Sequence, residues 1–287
     1  MRHYLLTLLL LLVPLVSPAQ TLWDDVKSMT SGLTDKYKYT VPLTGRKYYM
    51  LVSDEELLQL SKVQYRSYIR SVSLSTDAKQ TAMVRRVATR LSKAVAAFYR
   101  KCGRTEELKN FSWEFNLVKS KEVNAFCMPG GKIVVYEGIL PVTRDENSLA
   151  IVLGHEIAHA IAKHSAEQMS KQMIQEYGFQ IAMGMLALSG TSSGKMDVIQ
   201  VASAIGLQLK NLRYSRQMET EADRIGLIIA AMAGYDPRAA VDFWKRMRQT
   251  SGNRSAHDWY SDHPSDSNRI KNVRSFMPEA MKYYNPK

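Results

Sequence analysis

The feature that most constrains the fold is the segment Leu153–Ile161, because it places two histidines within a run of apolar side chains. In an α-helix, positions four apart lie about 40° apart around the axis, so the imidazoles of His155 and His159 would share one face. The neighbouring residues leave almost no polar face, which is typical of a helix buried in a core. Buried histidines require polar partners, and a metal ion would supply them. The segment therefore predicts a core helix that carries two metal ligands.

Glu156 adds a reactive group beside that face and completes the H-E-x-x-H spacing of zinc peptidases. Two imidazole nitrogens bind Zn²⁺ at about 2.0–2.1 Å, and a neighbouring carboxylate can act as general base towards a zinc-bound water. The same five letters also arise by chance on an ordinary core helix. A metal site therefore requires a third ligand elsewhere in the chain.

The segment Tyr214–Gly226 supplies candidates for that ligand. Glu219 and Asp223 are four residues apart and would share a helix face, whereas Glu221 lies about 200° from Glu219 around the axis. The spacing predicts one zinc ion per chain, bound by Glu219 together with the two histidines of H-E-x-x-H. Asp223 would accept a hydrogen bond from the far N–H of a ligating histidine and so fix its tautomer.

Another arrangement of the third ligand is excluded by a single position. A metzincin carries its third histidine six residues after the second, and here that position is Ser165. His164 lies about 140° from His159 around the helix, and we interpret it as a structural residue.

Taken together, H-E-I-A-H-A-I-A-K-H and Y-S-R-Q-M-E-T-E-A-D-R-I-G resemble peptidase family M48, which includes the CAAX prenyl protease and HtpX-, BepA- and LoiP-like proteases. Asn124–Gly131 is similar to the strand and turn before the family's active helix, and Ser261–Pro264 with Arg269 resembles its histidine–proline motif. The resemblance implies an α+β, gluzincin-like domain over residues 45–287, mostly helical, with a small sheet whose edge strand lines the cleft.

The resemblance also implies roles for residues outside the two metal motifs. Asn124 and Ala125 match the edge strand that binds the substrate backbone, a mode that gives broad specificity because main-chain bonds do not read side chains. His263 has two possible roles. It either closes the fourth zinc position as a plug or, like Arg269 and Tyr214, helps to stabilise the oxyanion.

The function expected from these residues is a zinc endopeptidase that cleaves unfolded or mislocalised cell-envelope proteins. Zinc would lower the pKa of its water towards about 7, and Glu156 would take the proton and deliver it to the leaving amine. The alternative is a periplasmic holdase or assembly factor with a structural or plugged zinc. An intact general base favours the enzyme, because a structural site has no use for one.

The first residues predict the destination of the chain. Residues 1–19 combine Arg2, a short apolar run and small residues before Ala19, as in a secretory signal peptide. We therefore expect an exported, periplasmic or envelope-associated protein that begins at Gln20, with an N-terminal arm over residues 20–44.

The net charge of +12 suits either peripheral contact with anionic lipids or an ordinary basic surface, and export argues against nucleic acid as a partner. Cys102 and Cys127 could form a disulfide or remain free, and the oligomeric state stays open.

The remaining patterns predict the elements around the site. Ser53 and Thr76–Asp77 each open a helix, and Asp145 caps the helix of H-E-x-x-H. The apolar run 179–188 is too short to span a membrane, and 189–194 is a lid or an inert surface loop. Other predicted elements are strands at 111–118, 122–126 and 132–136, and helices at 198–209, 213–233 and after Pro237.

Overall fold

The computed structural model of the protein describes residues 38–177, 206–264 and 268–286. Helices surround a small sheet, so the predicted α+β class is confirmed. The strands are β1 (Lys38–Thr40), β2 (Lys47–Tyr49), β3 (Glu114–Val118), β4 (Ala125–Met128) and β5 (Lys132–Tyr136). The helices are α1 (Asp54–Ser71), α2 (Ala78–Lys101), α3 (Leu140–Thr143), α4 (Glu146–Ile161), α5 (His164–Tyr177), α6 (Arg216–Met232), α7 (Ala239–Gln249), α8 (His257–Asp262) and α9 (Arg269–Met281).

Polar side chains start the main helices where the sequence predicts. Ser53 caps α1 through a capping box with Glu56, in which each side chain accepts a hydrogen bond from the backbone N–H of the other residue. Asp77 accepts from the backbone of α2, and Asp145 accepts from Ser148 N–H in α4. These caps satisfy N–H groups that the first turn of a helix leaves without partners.

Strands β3, β4 and β5 form one sheet in the order β3–β5–β4, with β3 parallel and β4 antiparallel to β5. Because side chains alternate across a strand, Ile133 and Val135 join the core beneath α2, α4 and α6, while Val134 points into the core beneath α1 and α5. Within the described residues β4 is an edge strand, and it packs beside α4. The strand predicted from Phe111 begins only at Glu114. Phe111 follows directly on the 3₁₀ turn Thr105–Asn110, and its ring stacks on that of Trp113.

Helices α4 and α6 pack more closely than ordinary side chains permit. A Cβ on Gly154 would lie 2.7 Å from the carbonyl oxygen of Gly226, and a Cβ on Gly226 would lie 2.7 Å from the backbone nitrogen of His155. The backbones therefore touch at a crossing made of two glycines. This crossing brings the H-E-x-x-H helix directly against the helix of Glu219.

Strands β1 and β2 form a hairpin over residues 38–49 that packs on the turn between α4 and α5. The hydroxyl of Tyr39 donates to the carbonyl of Ile161 (3.2 Å), and that of Tyr48 donates to the carbonyls of Ala162 (3.1 Å) and Lys163 (2.9 Å). Both tyrosine rings are buried. The part of the predicted N-terminal arm that the structure describes is thus bound to the end of the metal-binding helix.

Several predicted segments fall partly or wholly outside the described residues. These are the leader at 1–19, most of the arm, the apolar run 179–188, the loop 189–194 and most of the helix at 198–209; residues 209–211 form a 3₁₀ turn. In the described ranges, no helix has both the length and the apolar character that crossing a bilayer requires. Cys102 and Cys127 are free thiols.

Candidate metal centre

Four buried side chains from three separate parts of the chain converge at one point. His155 and His159 come from α4, Glu219 from α6 and His263 from the end of α8. One ligand atom from each lies within 4.8 Å of all the others, and each residue is at most 3% exposed. The structure thus brings the three proposed zinc ligands together with the proposed plug.

The two histidines of α4 present the nitrogens that a metal requires. The Nε2 atoms of His155 and His159 lie 3.1 Å apart. The Nδ1 of His155 lies 2.9 Å from a carboxylate oxygen of Asp223, so Nδ1–H donates to Asp223 and Nε2 keeps its lone pair. Asp223 therefore stands where it can fix the ligand tautomer, as the spacing on α6 predicts.

Glu219 completes this set from α6, whose first turn is capped by Ser215. Its carboxylate oxygens lie 3.3 Å from Nε2 of His159 and 3.4 Å from Nε2 of His155. Burial would raise the pKa of Glu219, but the nearby His263 and His155 outweigh burial and hold the pKa well below its usual range. The carboxylate therefore stays ionised and available to a cation.

The chemistry of this cluster fits zinc. Two imidazole nitrogens and one carboxylate oxygen form the ligand set of a catalytic zinc site, with a fourth position to fill. Glu219 Oε2 and Glu156 Oε1 are buried oxygens without a hydrogen-bond partner, and leaving such atoms unpaired is costly. A bound cation and its water would satisfy both.

Glu156 is buried beside the ligands and takes no place among them. It is 2% exposed, and burial raises the pKa of its carboxyl, although His263 and His155 oppose that rise. A raised pKa suits a carboxylate that accepts a proton and then returns it, because the proton is released less readily to bulk water.

His263 fills the remaining side of the cluster. Its Nδ1 lies 3.1 Å from Glu219 Oε1 and 3.4 Å from Nε2 of His155, while its Nε2 lies 3.6 Å from Glu156 Oε1. Its ring stacks on Trp259 at a centroid distance of 4.5 Å. The imidazole thus offers a fourth ligand atom to the cluster, which is the arrangement that the plug role predicts.

Arg269 lies at the cluster, where its Nη2 is 3.0 Å from Nδ1 and 3.2 Å from Nε2 of His155. Its guanidinium donates to Asp223 Oδ1 at 2.8 Å and 3.2 Å, lies 3.4 Å from Glu219 Oε2 and covers the ring of Trp244. The structure therefore places this arginine against the carboxylates of α6. Its charge balances Asp223 and Glu219, which gives it a supporting position.

The proposed substrate residues lie at the start of the edge strand. Tyr136 N–H donates to the carbonyl of Asn124, so the backbone groups of Ala125 and Cys127 are directed away from β5. Asn124 Oδ1 accepts from the N–H of Ala125 at 2.8 Å. The strand packs against α4, the helix that carries Glu156, and burial together with the charge of Glu156 raises the pKa of the Cys127 thiol.

Two glycines of the site carry no prediction from the sequence. Gly154 and Gly226 lie inside the two metal motifs, and glycine inside a helix costs about 1 kcal/mol relative to alanine, which signals close packing. The ring of Tyr214, an expected oxyanion residue, stacks on that of His159 at 4.0 Å, and its hydroxyl lies 3.2 Å from that of Ser165. His164, interpreted as structural, contacts the ligand His159 directly.

Comparisons with known proteins agree with this geometry. The model of Peptidase family M48 matches residues 79–277. Mitochondrial metalloendopeptidase OMA1 of Schizosaccharomyces pombe is 39% identical over 174 residues, which are 60% of this chain and 49% of that protein. Metalloendopeptidase OMA1, mitochondrial, of Homo sapiens is 30% identical over 247 residues, covering 84% of this chain and 46% of the relative.

A bacterial protein is also similar. The beta-barrel assembly-enhancing protease of Yersinia pestis is 28% identical over 165 residues, which are 57% of this chain and 34% of that protein. The chain spans about half the length of the OMA1 relatives described above. Because those relatives are named as mitochondrial proteins, the exported, periplasmic or envelope localisation predicted from residues 1–19 is wrong.

Proposed function

We infer the function from one premise, that this chain belongs to peptidase family M48, and from the cluster between α4 and α6. We propose a zinc-dependent endopeptidase that cleaves unfolded or mislocalised polypeptides. The observation that carries the proposal is Glu156, a buried carboxylate with a raised pKa beside a complete set of zinc ligands. A purely structural zinc site would have no use for it.

The residues of the site divide the chemistry between them. Bound zinc supplies a Lewis acid that polarises the scissile carbonyl and acidifies water. His155, His159 and Glu219 would hold the ion. Glu156 takes a proton from the attacking water and delivers it to the leaving amine nitrogen. Asp223 keeps His155 in the tautomer whose Nε2 can bind metal, and Arg269 balances the charge of that carboxylate.

The edge strand supports extended polypeptides as the substrate class. A segment that pairs with the carbonyl of Ala125 and the backbone groups of Cys127 would lie along α4, the helix of Glu156, while the N–H of Ala125 stays bonded to Asn124 Oδ1. Main-chain pairing needs an extended substrate and reads few side chains, so folded proteins are poor substrates and many unfolded ones are good.

A second candidate function rests on His263. Its imidazole offers a fourth ligand atom to the cluster, so a plugged zinc would make the resting chain latent, and a permanently plugged zinc would suit a holdase or assembly factor. The two candidates differ in one respect. A latent enzyme cleaves a substrate once His263 moves, whereas a holdase only binds it.

The Glu156→Gln variant tests the proposal. It removes the proton acceptor and leaves the ligands intact, so casein cleavage should be abolished while zinc stays near one ion per chain. Zinc is measured by atomic absorption and cleavage by release of labelled peptides. Casein cleavage by the zinc-loaded variant would contradict the role of Glu156 as general base. A zinc-loaded His263→Ala chain, in which the fourth position is open, that binds unfolded casein without cutting it would favour the holdase.

A further inference from the structure

The side chain that supports the second proposed zinc ligand, His159, is another histidine, His164. The Nδ1 of His159 lies 2.9 Å from Nδ1 of His164, and the Nε2 of His164 lies 3.0 Å from Oε2 of Glu221. The His164 side chain is 0% exposed, and that of Glu221 is 5% exposed. A row of three side chains thus runs from the metal cluster to a carboxylate that is not a ligand.

Hydrogen-bond chemistry fixes the direction of this row. A carboxylate only accepts, so His164 Nε2 carries a hydrogen and donates it to Glu221. In the neutral His164 ring, Nδ1 then holds a lone pair and accepts from Nδ1–H of His159. His159 is left with its lone pair on Nε2, the atom that faces Glu219 and His155. The row therefore selects the tautomer that can bind a metal.

Glu221 is itself held by the hairpin over residues 38–49. Arg46 Nε donates to Glu221 at 2.9 Å, and the hydroxyl of Thr44 donates to its other oxygen. The remaining nitrogens of Arg46 bind Glu167 on α5 at 3.0 Å and 2.7 Å. The carboxylate at the end of the row is thus fixed from outside the two metal helices.

We propose that His164 and Glu221 are positioning residues that set the tautomer and ring orientation of His159, with Arg46 anchoring Glu221. Both zinc histidines then depend on a carboxylate of α6, His155 directly on Asp223 and His159 through another imidazole. The proposal rests on the zinc site of the proposed function. Through Arg46, the hairpin over residues 38–49 would also contribute to zinc affinity.

Zinc affinity of the full-length chain, measured by competition with a coloured chelator, tests the proposal. His164→Leu removes the acceptor for His159 and should weaken zinc binding by about 10–100-fold, the usual cost of losing such a partner. His164→Asn should recover most of the affinity, because an amide oxygen can take the place of Nδ1. Glu221→Gln should weaken binding by about tenfold, at the low end of that range.

Glu167→Gln is the matched control. Glu167 is as buried as Glu221 and binds the same arginine, but its carboxylate does not contact His164. It should keep the zinc affinity of the wild type. The visible spectrum of the Co²⁺-loaded chain, which reports ligand geometry, should change in His164→Leu and Glu221→Gln and stay the same in Glu167→Gln.

Two results would overturn the proposal. One is wild-type affinity in a folded His164→Leu chain; the other is an equal loss in Glu167→Gln and Glu221→Gln, which would indicate packing alone. If His164→Leu does not fold, the pair of glutamine variants decides. If zinc binding shows these differences but the His263→Ala variant never cleaves casein, the endopeptidase is refuted and the positioning role stands.

Discussion

Three carboxylates of α6 have different neighbours, and the neighbours decide what each can do. Glu219 faces the Nε2 atoms of both histidines of α4, Asp223 faces the far nitrogen of one of them, and Glu221 faces His164. Side chains two positions apart point in nearly opposite directions on a helix, while those four apart share a face. One stretch of helix can therefore supply a ligand and the supports of two other ligands.

Replacing His263 distinguishes its proposed roles, because each role predicts a different change in proteolytic activity. Its ring occupies the fourth ligand position, so His263→Ala should open that position to water and raise basal cleavage of casein and of the chain itself. Zinc content should stay near one per chain, because three ligands remain. Cleavage is followed by gel and by release of labelled peptides.

A fall in casein cleavage by His263→Ala would identify a different role for His263. If the imidazole stabilises the oxyanion, the same variant should lose about 10²–10³ in kcat. Unchanged cleavage would exclude both roles and leave a histidine that only packs on Trp259.

Residue pairs on one helix face can be predicted from angular spacing, and contacts that depend on a turn between two helices cannot. Angular spacing alone pairs His155 with His159 and Glu219 with Asp223, and the structure places these pairs on common faces. The same arithmetic says only that His164 points away from His159, because it assumes a continuous helix. The turn before α5 breaks that assumption and brings the His164 ring back to its neighbour.

Helices α4 and α6 depend on Gly154 and Gly226 for their close packing. Gly226→Ala would place a Cβ 2.7 Å from the backbone nitrogen of His155, and backbone cannot move aside as a side chain can. We expect a loss of about 1–3 kcal/mol in the free energy of unfolding, the usual cost of overpacking a core. Zinc affinity should also fall, because the helices that carry the ligands must separate.

Chemical denaturation and chelator competition measure these two effects of Gly226→Ala. Intrinsic helix propensity acts in the opposite direction, since alanine favours a helix over glycine by about 1 kcal/mol. A stabilised variant would therefore mean that the crossing tolerates a methyl group. A destabilised variant with normal zinc affinity would mean that the crossing supports the fold and leaves the site unaffected.

The sequence predicts where a helix starts more reliably than which distant parts of the chain an element contacts. Capping residues such as Ser53, Asp77 and Asp145 reveal helix starts, because their side chains bond to the first turn of the same helix. The hairpin over residues 38–49 lacks such a local signal. Its tyrosines bond to carbonyls more than a hundred positions away, and only the folded chain brings those groups together.

For the molecule as a whole, zinc should act as a tertiary cross-link between α4, α6 and the end of α8. A ligand present at about 1,000 times its Kd stabilises the native state by about 4 kcal/mol. For a domain of this size each kcal/mol shifts Tm by about 2–4 °C, so chelation should lower Tm by roughly 10 °C. Differential scanning calorimetry with and without EDTA measures the shift.

The Glu219→Ala variant is the control for that experiment. It removes the one carboxylate ligand, so zinc should bind more weakly to the three histidines that remain, and chelation should lower Tm less than in the wild type. Equal Tm values for the wild type with and without EDTA would contradict a metal that links the helices. A chelator response in Glu219→Ala as large as that of the wild type would point to a different third ligand.

The order in which the cluster's residues appear along the chain has a consequence for protein synthesis. His263 follows Glu219 by 44 residues, a stretch that a ribosome translating at about 5–20 residues per second completes in roughly 2–9 s. Arg269, whose charge balances Glu219 and Asp223, emerges after His263. The three proposed zinc ligands and Glu156 are therefore made several seconds before the imidazole that is proposed to close the fourth position, and the arginine that balances Glu219 and Asp223 follows last.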